Sequence, residues 1–588
     1  MPSSRGLSRL LALLSGLGSV GARLVDVPSV ENFYRRSAAS VTVIGDYLYI
    51  DGGEISQAAD GKRPAEQRYA SNVVNSTISI DLSKSWTTSD VILRTIEKPW
   101  FSKIMQVIWT DREEGVFYVW AGRWLRGRNM TDNEYWKFTP DGSGGGSWNL
   151  ETPANPDVFN NLHPADHIVF ANSNDTGFAL GGIASGWSER GRGSNAIIPG
   201  MVTFDMRSKT WRNHTTAESP FETIASSPAH YIDVFGPNGL IMAFGGVAHP
   251  VSGSVDWANA PSYDLGNLTF FDPKTVETYW QTATGDIPES PRTQFCIAGF
   301  RNPEGGYEIV LTGGHNHRDE ITYSDTYVLS LPGFVWTKAP NSGMGGRRSP
   351  ACAAIGRRQM LVVGGTTRKG WDDKDPAPQG LLLFDVAKME WKDTYDPEAE
   401  EYERPAVLKT FYSNGSFEAV NWSSEKVREL FGGVKKSASS PTDTNSTSSD
   451  PDSNPEQTSS GTSTAVIIGA VLGSVAAVVL SLLAWYLIRR RRRSKAASTK
   501  DHSDGKSTLA GGSEAPEVVP LNGGSEGYYA AGDGWYKPPV ELTAVREHAE
   551  LGGNEGYGEG SQVMRPVEMD AGDVPASWPG PGRNDAAR

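Results

Sequence analysis

Short apolar runs that end in a glycine pair recur along the chain: YLYIDGG to Gly53, VFYVWAG to Gly122, FALGG to Gly182, IMAFGG to Gly246, IVLTGG to Gly314 and LVVGG to Gly365. Successive pairs stand between 51 residues (Gly314 to Gly365) and 69 residues (Gly53 to Gly122) apart. Each is followed, some 22 to 34 residues on, by a tryptophan: Trp86, Trp148, Trp211, Trp280, Trp336 and Trp391. Several units share an apolar run, an aspartate and a turn before that tryptophan, as in SIDLSKSW, VTFDMRSKTW, FFDPKTVETYW and LLLFDVAKMEW. The runs are too short for helices and no 3.6-residue period appears between about 30 and 412, so the pattern predicts strands in a repeated unit.

The physics of such a unit is that of a four-stranded blade. Glycines at Gly52, Gly53, Gly122, Gly181, Gly182, Gly245, Gly246, Gly313, Gly314, Gly364 and Gly365 allow φ values closed to other residues and let the backbone pass close to its neighbour. The six tryptophans are expected on outer strands, filling the wedge between adjacent blades. One blade cannot bury both its faces, whereas six around an axis can.

The order of apolar strand, Gly-Gly, then Asp-turn-Trp resembles the kelch repeat. NFYRRSAASVTVIGDYLYIDGG resembles the first blade of fungal single-pass, cell-wall-associated kelch proteins, and the likeness covers about two thirds of the chain. It implies an all-β, kelch-type β-propeller over residues 23–412. Two units depart from the pattern, with Ala121 in place of the first glycine and SLPGFVW in place of the Asp turn. Six blades are expected and seven stay open.

The flanking segments have a different character. Arg5 and Arg9 precede an apolar stretch from Leu10 to Val20, and Val20-Gly21-Ala22 offers small residues for cleavage, which predicts a signal peptide over 1–22. Residues 413–436 read as a short extension with a capping helix, and 437–464 as a Ser/Thr-rich stalk too poor in apolar side chains to order itself. Residues 465–488 carry no charge and are long enough for a transmembrane helix across a core of about 30 Å. Arg489 to Arg493 follow at once and predict a cytoplasmic C-terminal side. Gly469 and Gly473 form a GxxxG through which two spans could pair as a homodimer, although small residues are common in any span. The tail, 489–588, reads as disordered. Sequons begin at Asn75, Asn129, Asn174, Asn213, Asn267, Asn414, Asn421 and Asn445, all before the predicted span, as expected of a glycoprotein on the secretory route. Together these place the protein at the plasma membrane, its N-terminal side extracellular.

Charge and motifs narrow the function. A formal net charge of -14 argues against a nucleic-acid partner, and the basic run beside the span has its own explanation. No GxSxG elbow or P-loop occurs, and Gly142 to Gly146 reads as a turn. The loops after the glycine pairs are long, and four carry a tryptophan: Trp124, Trp187, Trp257 and Trp371, with Arg126, Arg190, Arg192, His249, His315 and His317 nearby. Such indoles suit sugar rings or a protein surface, or else fold down as lids over the blades. His315 and His317 form the sole HxH, but two imidazoles make no complete metal site, and a hydrogen-bonded loop pair is the plainer expectation. Asp372, Asp373 and Asp375 read as a solvated acidic loop.

The expected function is therefore a non-enzymatic binding, adhesion or receptor-like module for extracellular glycans or proteins, with no cofactor. The alternative is a galactose-oxidase-like copper-radical oxidase of carbohydrates or aldehydes, since kelch-type propellers occur among these enzymes and their site uses a tyrosine cross-linked to a cysteine. Here Cys296 and Cys352, the chain's 2 cysteines, occupy equivalent points of successive repeats. Neighbouring inner strands are expected to hold their Cα atoms beyond the roughly 7 Å that a disulfide can bridge, which predicts no bond between them.

Overall fold

In every repeat the apolar run before the glycine pair becomes the second strand of an antiparallel meander. The computed structural model describes residues 24–432 except 59–70, 101, 126–131, 216, 218, 252–254, 342–344 and 416. Among the described residues six such sheets follow one another. Sheet 1 runs Ser40–Ile44, Tyr47–Asp51, Ser76–Asp81 and Arg94–Glu97; sheet 2, Val107–Asp111, Val116–Trp120, Tyr135–Pro140 and Gly146–Leu150. Sheet 3 runs Val169–Asn172, Thr176–Leu180, Met201–Asp205 and Thr210–His214; sheet 4, Ala229–Ile232, Leu240–Ala243, Asn267–Phe271 and Thr278–Thr282. Sheet 5 runs Cys296–Arg301, Tyr307–Thr312, Thr326–Leu331 and Val335–Lys338, with Thr284–Gly285 added in parallel to its last strand. Sheet 6 runs Ala351–Ile355, Gln359–Val363, Leu381–Asp385 and Glu390–Lys392.

Because successive side chains alternate across a strand, each sheet feeds two cores. Leu361 and Val363 pack with Leu48 and Ile50 of sheet 1, whereas Met360 and Val362 pack with Val310 and Val328 of sheet 5. Such wedges separate sheets 1 and 2, 2 and 3, 3 and 4, 4 and 5, 5 and 6, and 6 and 1. Burial on both faces explains why the second strands read as unbroken apolar runs instead of alternating. The arrangement is mostly β and propeller-like.

The glycine pairs join the sheets. The amide of the second glycine donates to a carbonyl of the next sheet's entry segment: Gly53 to Lys103, Gly122 to Ala165, Gly182 to Ile224, Gly246 to Arg292, Gly314 to Arg347 and Gly365 to Arg36, at 2.7 to 3.1 Å. The last bond returns to sheet 1, so the cycle closes. The approach leaves no room for a side chain: a methyl on Gly181 would run into the Ile224 carbonyl, and φ is positive there, +59°. Ala121, in the unit that lacks the first glycine, adopts the same left-handed region with φ 57°.

Most of the tryptophans fill their wedges. Trp148 lies opposite Phe138, Trp211 opposite Phe204, Trp336 opposite Leu329 and Trp391 opposite Phe384. Two expectations need correcting. Trp86 fills the wedge between sheets 6 and 1 but from outside the outer strand of sheet 1, in a two-residue strand paired with Thr394–Tyr395. Trp280 is 54 % exposed. The turn that leads to it from Asp272 is two residues longer than the one from Asp205 to Trp211, so Thr278 takes the place opposite Phe271 and the indole stands beyond the wedge.

The absence of a disulfide between Cys296 and Cys352 is also overturned: the two are bonded, with Cα atoms 5.4 Å apart. The equivalence of the two positions fails as well: Cys296 matches Ala351 in the register, and Cys352 stands one residue further on, on the opposite face of its strand, where it can meet Cys296 across the seam. The assumed spacing fails too, because inner strands converge toward the axis and come within disulfide reach.

The extension after sheet 6 folds back under the ring. Helix Ala406–Ser413 buries Leu408, and helix Glu425–Gly432 buries Val427, Leu430 and Phe431. Phe431 meets Phe235, Phe270 and Phe334, and Gly236 donates to the Leu430 carbonyl. Gly236 and Phe334 belong to turns at one end of the sheets, the turn face. The loops after the glycine pairs and the entries into the inner strands lie at the other, the loop face. Among the described residues no helix is long and apolar enough to cross a membrane. The expected signal peptide, stalk, span with Gly469 and Gly473, and tail, together with Arg126, Asn129 and Asn445, lie outside the described residues.

Candidate functional site

Three of the four loop tryptophans keep partial exposure. Trp187, Trp257 and Trp371 are half-buried, while Trp124 is 3 % exposed and is a lid, not a ligand platform. Its strand, Arg123–Trp124, pairs with Lys103–Ile104, and the Lys103 ammonium stands 4.7 Å from its ring. Burial pushes that ammonium down to about 8, partly offset by Glu134. The Trp187 carbonyl accepts from the Trp124 amide, and the Trp371 carbonyl from Ser56 Oγ, so both loops are tied to neighbours. Arg190 lies 3.7 Å from Asp132, and Arg192 pairs with Glu189 at 2.6 Å.

Trp257 has gathered the histidines. His167, His249 and His317 rings lie 4.8, 5.0 and 5.2 Å from it, and His315 stands edge-on to His317 at 4.5 Å. His315 is a hydrogen-bonded loop residue, its Nδ1 3.2 Å from Thr322 Oγ1. His249 is 2 % exposed and neither ring nitrogen has a hydrogen-bond partner among the described residues. Burial, then His167, lowers its affinity for a proton. Among the described residues no three His, Cys, Asp or Glu side chains are placed to hold a metal together. The disulfide also engages both cysteines, leaving neither for a cross-link to tyrosine. Among the described residues the oxidase alternative thus has no assembled site.

The expected solvated acidic loop is corrected in part. Asp375 is buried, accepting from Arg347 Nη1 and Nη2 at 2.6 Å each, with Arg35 Nη1 3.5 Å away. Asp373 pairs with Arg35 at 3.3 Å. These carboxylates are structural.

Sequence reading missed the centre of the loop face. Two or three residues before each inner strand stands a non-glycine residue with left-handed backbone: Ala38, Met105, His167, Ser226, Gln294 and Ser349, φ 53° to 59°. Their amides and carbonyls link in turn: Met105 donates to Ala38, Ala38 to Ser349, Ser349 to Gln294, Gln294 to Ser226 and Ser226 to His167. They rim an axial cavity of about 300 Å³ whose wall includes the disulfide. Inside it His230 Nε2 lies 2.8 Å from the Tyr307 hydroxyl. Burial, aided by Arg112, pushes the His230 imidazole down to about 4. The six rim residues share a place in the repeat but no side-chain type, and only their fixed spacing before the inner strands could have exposed them.

With this geometry in view, the chain compares with known proteins as follows. Over 195 residues it is 27% identical to a "Kelch repeat-containing protein" of Arthroderma benhamiae. The likeness is to a kelch-repeat protein. It covers 32% of this chain and 27% of that relative, so the chain spans about a quarter of the relative's length. A solved structure, "Structure of YjhT", matches 62% of this chain and 99% of its own at 12% identity and a TM-score of 0.41. No protein-family model matches the chain.

Proposed function

We propose that the chain is a six-bladed kelch-type propeller carried at the cell surface, of the fungal single-pass type, and that it acts as a non-enzymatic binding module for an extracellular glycan or protein. The observation that carries this reading is the opposition of its two faces. Trp187, Trp257 and Trp371 stand on the loop face, while the chain leaves through helix Glu425–Gly432 on the turn face. A C-terminal stalk and span would hold the turn face toward the membrane and present the loop face outward.

Two further observations support the reading. Asn75, Asn174, Asn213, Asn267, Asn414 and Asn421 are all exposed, and no sequon falls within the loops 183–200, 247–266, 315–325 or 366–380. Asn174, Asn414 and Asn421 lie toward the turn face, whereas Asn75, Asn213 and Asn267 stand at the loop-face ends of outer strands, so glycans there would border these four loops without lying in them. The disulfide suits an oxidising compartment.

The test is a glycan-array and cell-wall pull-down with the purified full-length chain and its Trp187→Ala and Trp371→Ala variants. Binding that drops at least tenfold in the variants supports the loop face as the binding surface. Binding that survives in both, or stoichiometric copper with peroxide release, contradicts the proposal.

A further inference from the structure

The axial cavity has a chemistry of its own. Its lining includes no Asp, Glu, Lys or Arg side chain. The titratable groups that face it are His167 and His230. His167 is buried, with Nδ1 bonded to Ser226 Oγ, and His230 stays neutral above about pH 4. The rim offers the amide of Gln294 and the hydroxyls of Ser226 and Ser349. Below it the wall is apolar, with Val41, Ile108, Phe170 and Ile297. At about 300 Å³ it lies at the small end of ligand pockets, enough for one ring and little more.

These features select a ligand. A charged group placed here would lose its hydration with no opposite charge to replace it, a cost of several kcal/mol even with local hydrogen bonds. A wholly apolar ligand would strip water from Gln294 and His230 and leave them unsatisfied. A neutral, hydroxylated ring avoids both costs, because its C–H face meets the apolar wall and its hydroxyl edge meets the amide, imidazole and serines.

We infer that the axial cavity, at the centre of the loop face, is a subsite for a single uncharged sugar ring, free or at the end of a glycan. It deepens the proposed binding role and rests on it only for the source of the sugar. Gln294 is the rim ligand and His230, oriented by Tyr307, the deeper one.

Calorimetric titration of the purified full-length chain tests it, with glucose, galactose, mannose and N-acetylglucosamine against glucuronic acid. At least one neutral sugar is expected to bind saturably at one site, at least tenfold tighter than the acid. Gln294→Leu, with unchanged melting temperature, and His230→Phe should each weaken it at least tenfold; should His230→Phe fail to fold, Gln294→Leu alone decides. Trp187→Ala should leave monosaccharide binding intact even where it abolishes polymer binding, which separates this subsite from the loop tryptophans. No saturable neutral sugar, equal binding of the acid, or binding untouched by Gln294→Leu would overturn the inference. Free and glycan-terminal rings are distinguished by whether an oligosaccharide with that ring at its end binds as well as the monosaccharide.

Discussion

Two seams of the ring solve the same problem differently. Sheets 5 and 6 are consecutive in sequence and are joined through their inner strands by the Cys296–Cys352 bond beside the axis. Sheets 6 and 1 hold the two ends of the ring, and each is built from one continuous stretch, 351–392 and 40–97, so no strand is exchanged to lock them. That seam is clasped by polar and aromatic contacts instead. Gly365 donates to the Arg36 carbonyl, Ala38 to Ser349 and Asp375 to Tyr34. Arg35 and Arg347 converge on Asp375, and at the outer edge Tyr395 stacks on Trp86 at 4.9 Å and donates to the Leu82 carbonyl. A ring can close on itself without exchanging a strand between its main sheets if buried charges, backbone amides and one two-residue ladder, Trp86–Thr87 against Thr394–Tyr395, hold its ends.

The largest effect is expected from Asp375→Ala. It leaves the buried Arg347 guanidinium without its carboxylate and Arg35 with Asp373 alone, and losing one partner of a buried pair costs about 3–5 kcal/mol. Chemical denaturation should show a lower midpoint, and proteolysis should begin at the 6/1 seam. Next comes the double variant Cys296→Ser, Cys352→Ser. A disulfide of this kind contributes about 2–4 kcal/mol, and mild reductant should destabilise the parent chain while leaving the double variant unchanged. Tyr395→Phe keeps the ring stack and removes one hydrogen bond, so about 1 kcal/mol is expected, insensitive to reductant.

The seam between sheets 4 and 5 adds a pH term through His230 and Tyr307. The folded imidazole titrates at about 4, below its ordinary 6.5, so the fold favours the neutral form. The contribution is complete above about pH 6.5 and is lost as pH falls toward 4. A His230→Gln variant should flatten the decline of stability over that window, seen as the melting temperature against pH.

The sequence reveals the strands and glycine pairs because those residues meet backbone demands that few others satisfy. Gly365 had to be small and left-handed for its amide to reach Arg36, and that need is visible as a repeat. Trp211 and Trp336 were legible for the same reason, since a wedge demands a large ring. Trp280 was misread because two extra turn residues move a side chain along the strand without altering the motif. The disulfide and the burial of Asp375 depend on how closely separate repeats approach, which composition and spacing do not encode. The cavity rim was invisible because its six residues share a backbone conformation and no side-chain chemistry.

Amide hydrogen exchange at the second glycine of each pair tests the closed ring most directly, because the loop face and the axial cavity both depend on it. The account predicts that Gly365, at the seam with no covalent link and no shared strand, is protected to the same degree as Gly53, Gly122, Gly182, Gly246 and Gly314. Rapid exchange at Gly365 while the other five stay protected would mean that sheets 6 and 1 part in solution, and would contradict it.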